Sequence, residues 1–185
     1  MALQVSPDHS HLTQNGKPFF WLADTCWSAF TNISDDDWQE YLDLRARQGF
    51  NVLQINALPQ WDRCGTLENR HPFPFREGEL YDFSRILPEY FAHARSMCRA
   101  AVDKGFTLAI VVMWCNYVPD TWASHIFGGN VMPPEAVEPV VRTICDSFNE
   151  FDPVYIVSGD TGFDSEASIQ RYRLVTDLMD RYAPG

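Results

Sequence analysis

The run Phe106-Thr107-Leu108-Ala109-Ile110-Val111-Val112-Met113-Trp114 limits the accessible folds more than any other part of the chain. It is rich in β-branched and aliphatic side chains and has no polar alternation, so it predicts a strand buried on both faces. A strand of that kind belongs in a parallel sheet covered by helices. The preceding segment agrees. Over residues 88–104, Tyr90, Phe91, Ala94, Met97, Cys98 and Ala101 recur at helical spacing, and Gly105 stops the helix.

The same grammar repeats along the chain. Phe19-Phe20-Trp21-Leu22-Ala23-Asp24-Thr25 predicts an apolar strand. A helix then starts at Ser34 as N-cap, with Asp35, Asp36 and Asp37 as helix-start acids and Trp38, Tyr41, Leu42 and the Arg45 stem inward; Gly49 ends it. Residues 50–57 form the second strand. The long connection to about Ile86 holds Trp61, Asp62, Arg63, His71, Phe73 and Phe75, whose aromatics either stack on a sugar ring or fold the loop on itself. After the third strand, Cys115-Asn116-Tyr117 opens a second long loop with Trp122, His125 and Gly128-Gly129. A helix from Pro133 or Pro134 buries Val137, Val140, Val141, Ile144, Cys145 and Phe148, and residues 154–161 and 165–182 supply the last strand and helix. Ahead of all this, Gln14-Asn15-Gly16 predicts a hairpin tip between strands at 3–7 and 18–20.

Four βα units in one composition type, with no linker, make residues 1–185 a single domain with a parallel sheet and right-handed crossovers. An open doubly wound sheet for nucleotides wants a Gly-rich turn after the first strand, and Asp24-Thr25-Cys26-Trp27 has none. The alternative is an α/β fold of the (β/α)8 TIM-barrel type, which takes about 250 residues. The four units are then a half-barrel preceded by the small β-hairpin. Its two outer strands are open edges, so the chain is expected to pair with itself, as a homo-oligomer, or with a missing C-terminal half-barrel.

Composition removes other classes. The formal net charge of −11 repels nucleic-acid backbones and anionic membrane surfaces, and the longest apolar run is half a membrane span. Five cysteines without CxxC spacing read as free thiols in a reducing compartment. The first residues, Met1 to Pro7, carry no basic-then-apolar leader, so a soluble cytoplasmic protein is expected, with a secreted parent left open.

Chemistry in parallel α/β folds collects at the carboxyl ends of strands. Two strands end in a carboxylate, at Asp24 and in Val154-Tyr155-Ile156-Val157-Ser158-Gly159-Asp160-Thr161. Asp160 reads either as a catalytic acid or as a cap for the helix that follows. Trp27, Asn56, Trp61, Trp114 and Asn116 lie at or just past strand ends and, with Asp24, are the candidates for holding a substrate. A metal-dependent hydrolase on Asp24, Asp160, His71 and His125 would lack any HxH or HExxH spacing, and no metal or cofactor is expected.

Lys17-Pro18-Phe19-Phe20-Trp21-Leu22-Ala23-Asp24-Thr25-Cys26-Trp27, then Gln48-Gly49-Phe50-Asn51-Val52-Leu53-Gln54, then Tyr155-Ile156-Val157-Ser158-Gly159-Asp160 resemble three motifs of the apiosidase-like glycoside hydrolases, in the family's order. Ala23 and Ser158 stand where that family usually has Gly. The resemblance implies a (β/α)8 glycosidase acting on plant-type or pectic glycans. It implies Asp160 as general acid/base and Asp24 on the floor of the substrate pocket; burial beside aromatics favours the protonated form of such an acid, and Trp114 or Trp21 is the expected apolar wall. It places the second catalytic carboxylate, a Glu, on the second half-barrel, so these 185 residues alone are expected to be inactive. The competing expectation is a non-catalytic carbohydrate-binding or assembly module that retains the barrel motifs.

Overall fold

The computed structural model describes residues 3–60, 70–78, 80–126 and 128–184. The chain opens with β1 (Leu3–Val5), β2 (Leu12–Gln14) and β3 (Lys17–Phe19), an antiparallel meander in the order β1-β2-β3. Asn15 and Gly16, at φ 54° and 72°, make the tight turn between β2 and β3. Both central residues are left-handed, as a type I′ hairpin turn requires. The expected two-stranded hairpin is therefore a three-stranded sheet. A second turn at Asp8–Ser10, tied by Ser6 and Ser10 hydroxyls to the Asp8 carboxylate, folds β1 back against β2.

The barrel units follow: β4 (Ala23–Thr25), the short α1 (Ala29–Asn32), α2 (Asp35–Arg47), β5 (Val52–Asn56), a small hairpin of β6 (Phe75–Glu77) and β7 (Leu80–Tyr81), then α3 (Pro88–Asp103). After these come β8 (Thr107–Trp114), α4 (Trp122–Ile126), α5 (Pro134–Phe148), β9 (Val154–Gly159) and α6 (Glu166–Tyr182). The parallel sheet runs β4-β5-β8-β9, each strand beside its successor in the chain. That order has no reversal point, so it is the half-barrel and not the doubly wound sheet.

Local chemistry sets the element ends. The Ser34 hydroxyl accepts the Asp37 N–H at the start of α2, and Ser165 accepts the Ser168 N–H at the start of α6. Asp35 at the α2 start also meets His93 Nε2 of α3 at 2.7 Å. The expected seven-residue apolar strand at 19–25 is shorter than its sequence suggests: Phe19 belongs to β3, and Phe20 is exposed. The Asn51 amide explains the break, accepting from Leu22 N and donating to the Phe20 carbonyl where ladder bonds would otherwise form.

Register assigns every side chain a face. Leu53, Ile55, Leu108, Ile110, Val112, Tyr155 and Val157 pack with α2, α3, α5 and α6 in one core that includes Trp38, Leu42, Met97, Val140 and Phe148. In-register residues of parallel strands point the same way and alternate along the strand. Gln54, Ala109 and Val154 therefore share the opposite face, as do Asn56, Val111 and Ile156.

Burial also governs the response to base. It pushes the Cys115 and Cys145 thiols up to about 11 and the Cys26 thiol up to about 12, and it raises Tyr90, Tyr155 and Tyr172 as well. An unfolded thiol loses its proton near 9.0 while the folded one keeps it, so the native state holds more protons and stability falls as pH rises. Urea denaturation is expected to show constant stability to about pH 9 and then a loss of about 1.4 kcal/mol per pH unit for each group titrating only when unfolded. A flat profile to about pH 11 would contradict this burial.

Candidate active site

The carboxyl end of β9 is shaped by one close contact. A Cβ built on Gly159 would lie 2.1 Å from Cζ3 of the Trp114 ring, so the indole occupies the space a side chain would need. Trp114 is in register with Gly159 and packs with Val111, Cys115, Ala123 and Ile156. Strict alternation would put Trp114 on the helix side with Leu108, Ile110 and Val112, yet at the strand end it clusters with Val111 and Ile156 of the opposite face. Its ring meets Trp27 at 5.1 Å between centroids, tilted 44°. The Trp27 carbonyl in turn accepts the Asn56 N–H at 3.2 Å. Trp27, Asn56, Trp114 and Gly159 thus form one surface at the ends of four strands.

Asp160 follows directly. Its backbone is left-handed, φ 54°, a conformation Asp tolerates better than most residues. The Trp122 indole on α4 donates to the Asp160 carbonyl at 2.8 Å and fixes it there. The carboxylate is exposed, and its charge adds to burial in raising the Cys115 thiol. Ser165, not Asp160, caps α6, which leaves the Asp160 side chain outside the helix. Trp114 lies against Gly159, the residue before Asp160, while the Asp160 side chain itself is exposed, and Trp21 packs edge-on to Phe19 beside the N-terminal sheet.

Asp24 is not brought to this surface. It is in register with Leu53, whose side chain is in the helix-side core, and its Oδ2 accepts from the Tyr41 hydroxyl at 2.7 Å and pairs with Arg45 Nε. Both partners lie on α2. Arg45 also covers the Tyr41 and Phe50 rings at 5.3 Å each, so the carboxylate ties α2 to β4. The expectation that Asp24 floors the pocket is corrected by pleat parity: Ala23 and Thr25 take the mouth face, and Asp24 takes the other.

Asn56 does face the mouth. It is 2% exposed and neither amide atom has a hydrogen-bond partner among the described residues. Trp114 Nε1 and Asn116 Oδ1 are likewise buried without partners there. Gln60, which sequence reasoning passed over, has both amide atoms buried and unpaired in the same sense. Trp61 lies outside the described residues. The aromatics of the long connection mostly fold it on itself: Phe73 and Tyr81 are buried, Phe75 stacks on Tyr81 at 5.2 Å, and Tyr117 from the next loop donates to the Pro59 carbonyl. His71 is engaged with the Tyr81 hydroxyl and His125 with Asp120. The four residues of a metal-hydrolase reading are therefore not assembled, and among the described residues no three His, Cys, Asp or Glu side chains gather.

Parallel strands, helices on one face and a polar-aromatic mouth at the strand ends make half of a (β/α)8 barrel. The chain belongs to the apiosidase-like family: it matches the description "Apiosidase-like, catalytic domain" over residues 6–183. Its fold is similar to that of a glycoside hydrolase family 5 protein from Bacteroides vulgatus ATCC 8482, with a TM-score of 0.71, 18% identity, and coverage of 100% of this chain and 37% of that one. It is also similar to the endo-1,4-beta-mannanase from Rhizomucor miehei, with a TM-score of 0.66, 9% identity, and coverage of 98% and 58%. The chain thus spans between about a third and three fifths of the length of these relatives. Comparison with curated protein sequences finds no match. No helix among the described residues is long and apolar enough to cross a membrane.

Gly159→Ala tests the contact that shapes the mouth. The added methyl must displace Trp114, so the variant is expected to lose about 1–3 kcal/mol in chemical denaturation and to change its tryptophan emission. Wild-type stability and emission would show that the indole does not rest on Gly159.

Proposed function

We propose that the chain is the catalytic N-terminal half of a glycoside hydrolase acting on plant-type or pectic glycans, with Asp160 as general acid/base. One observation carries the reading: an exposed carboxylate stands at the end of the fourth barrel strand, next to the glycine that Trp114 covers, with its backbone carbonyl held by Trp122. Glycosidic cleavage needs a proton for the leaving oxygen, and a carboxylic acid fixed next to an apolar sugar platform can deliver it. The second carboxylate, which attacks the anomeric carbon or activates water, would come from strands that complete the barrel against the edges of β4 and β9. Trp27, Asn56, Trp114 and Asn116 hold the sugar, and Asp24 serves the joint between β4 and α2.

The orientation of Asp24 also favours a second reading for these 185 residues taken alone. With one strand-end carboxylate at the mouth among the described residues, they bind carbohydrate without cleaving it.

Measured alone, the chain is expected to release no reducing sugar from pectic or hemicellulosic glycans. In any longer reading frame that completes the barrel, cleavage is expected, and Asp160→Asn is expected to lower kcat by about 10²–10⁴. Near-wild-type turnover by that variant would remove Asp160 from the mechanism.

A further inference from the structure

The outer strands of the parallel sheet are less buried than their composition calls for. β9 reads Val-Tyr-Ile-Val-Ser-Gly, yet all its residues are only half-buried, whereas β8 beside it is buried from Leu108 to Trp114. β9 ends the order β4-β5-β8-β9, so one side of its backbone has no ladder partner among the described residues, and β4 stands the same way at the other end. Open edges of this kind are pairing sites. A groove of about 540 Å³ runs along β9, between Val154, Tyr155 and Val157 and the Thr176, Met179 and Asp180 side chains of α6.

The helices that flank the two edges carry matching stripes. On α2, Asp35 and Asp43 point to α3, where they meet His93 and Lys104. Glu40, Leu44 and Arg47, at i, i+4 and i+7, form an exposed stripe turned away from those contacts. On α6, Arg171 and Arg181 reach the Met132 carbonyl and the Glu138 carboxylate on the α5 side. Arg173, Thr176 and Asp180 form the exposed stripe on the other side, toward the groove. Glu40, Arg47, Arg173 and Asp180 make no side-chain ion pair or hydrogen bond among the described residues, while the charges on the inner flanks do. From the N-terminal end, α2 presents minus, apolar, plus and α6 presents plus, polar, minus. The charges are seven residues apart in both, about 10.5 Å of helix rise. Helices of a barrel run parallel to one another, so these two stripes are complementary when laid side by side.

We propose that the 185-residue chain forms a two-fold homodimer. β9 of each copy pairs in parallel with β4 of the other, and α6 of each packs beside α2 of the other, with Arg173 facing Glu40 and Asp180 facing Arg47. One rotation about the barrel axis satisfies both edges at once and closes eight strands. The net charge of −11 on each copy opposes indiscriminate association, so the matched stripes set both the partner and the register. The proposal goes beyond the glycosidase reading and does not depend on it. The two Asp160 residues of such a dimer stand on opposite strands of the barrel, so it assembles no catalytic pair of carboxylates.

Sedimentation equilibrium and hydrogen exchange on the 185-residue chain test this directly. A species of twice 21.3 kDa is expected at about 50 µM protein, with the β9 amides exchanging more slowly as concentration rises. Glu40→Lys or Arg173→Glu alone is expected to weaken the dimer about tenfold, because each reversed pair occurs twice in it. Both side chains are exposed, so the circular dichroism of the monomer is expected to stay unchanged. The double variant, with Glu40→Lys and Arg173→Glu together, is expected to restore association, a rescue that a merely structural role for either residue would not give. A monomer at every concentration, or aggregates with no discrete dimer, would overturn the proposal. So would a dimer that the double variant fails to restore, or one whose β9 amides exchange as in the monomer, since either would use another face. None of these outcomes touches the glycosidase reading, which is decided by cleavage in a longer chain.

Discussion

The register of β5, β8 and β9 is the constraint on which the rest of the structure depends. Once Leu53 pairs with Leu108 and Ile55 with Ile110, the helix side of the sheet is closed as a packed core, and every alternate residue is forced to the other side. That partition aligns Asn56 with Val111 and Ile156, and it brings Trp114 level with Gly159. A slip of one residue would exchange the two faces, burying the amide among helices and exposing the leucines. Packing energy on one side thus fixes polar geometry on the other.

Glycine enters this scheme at a single decisive point. Gly159 has no side chain, so the Trp114 indole can cross the strand end, and Asp160 emerges past its edge. The same ring completes the contact with Trp27, so the crossing at Gly159 joins the ends of the first, third and fourth parallel strands.

Much of the architecture is legible in the residues themselves. The third strand, read at 106–114, is Thr107–Trp114, and the helix read at 88–104 is Pro88–Asp103. Both have long, unambiguous periodicity. The first barrel strand is overestimated because its apolar run is shared between β3 and β4, with the Asn51 amide dividing them. Asp24 is misread for a different reason. Apolar run, small residue, Asp, Thr describes two strand ends equally well, yet parity sends one carboxylate toward α2 and lets the other stand clear of the sheet. Nothing local in the sequence encodes that difference; it depends on pairing with a strand about thirty residues away. The Trp122 contact is equally hidden, since it joins a loop helix to a carbonyl in the next βα unit.

The clamp at Asp160 ties two parts of the molecule into one moving piece. A left-handed residue whose carbonyl is anchored to an indole cannot rotate unless the indole travels with it. A displacement of α4 therefore either carries the Asp160 carbonyl with it or breaks that hydrogen bond. Whatever presses on that short helix therefore also bears on the backbone that carries Asp160.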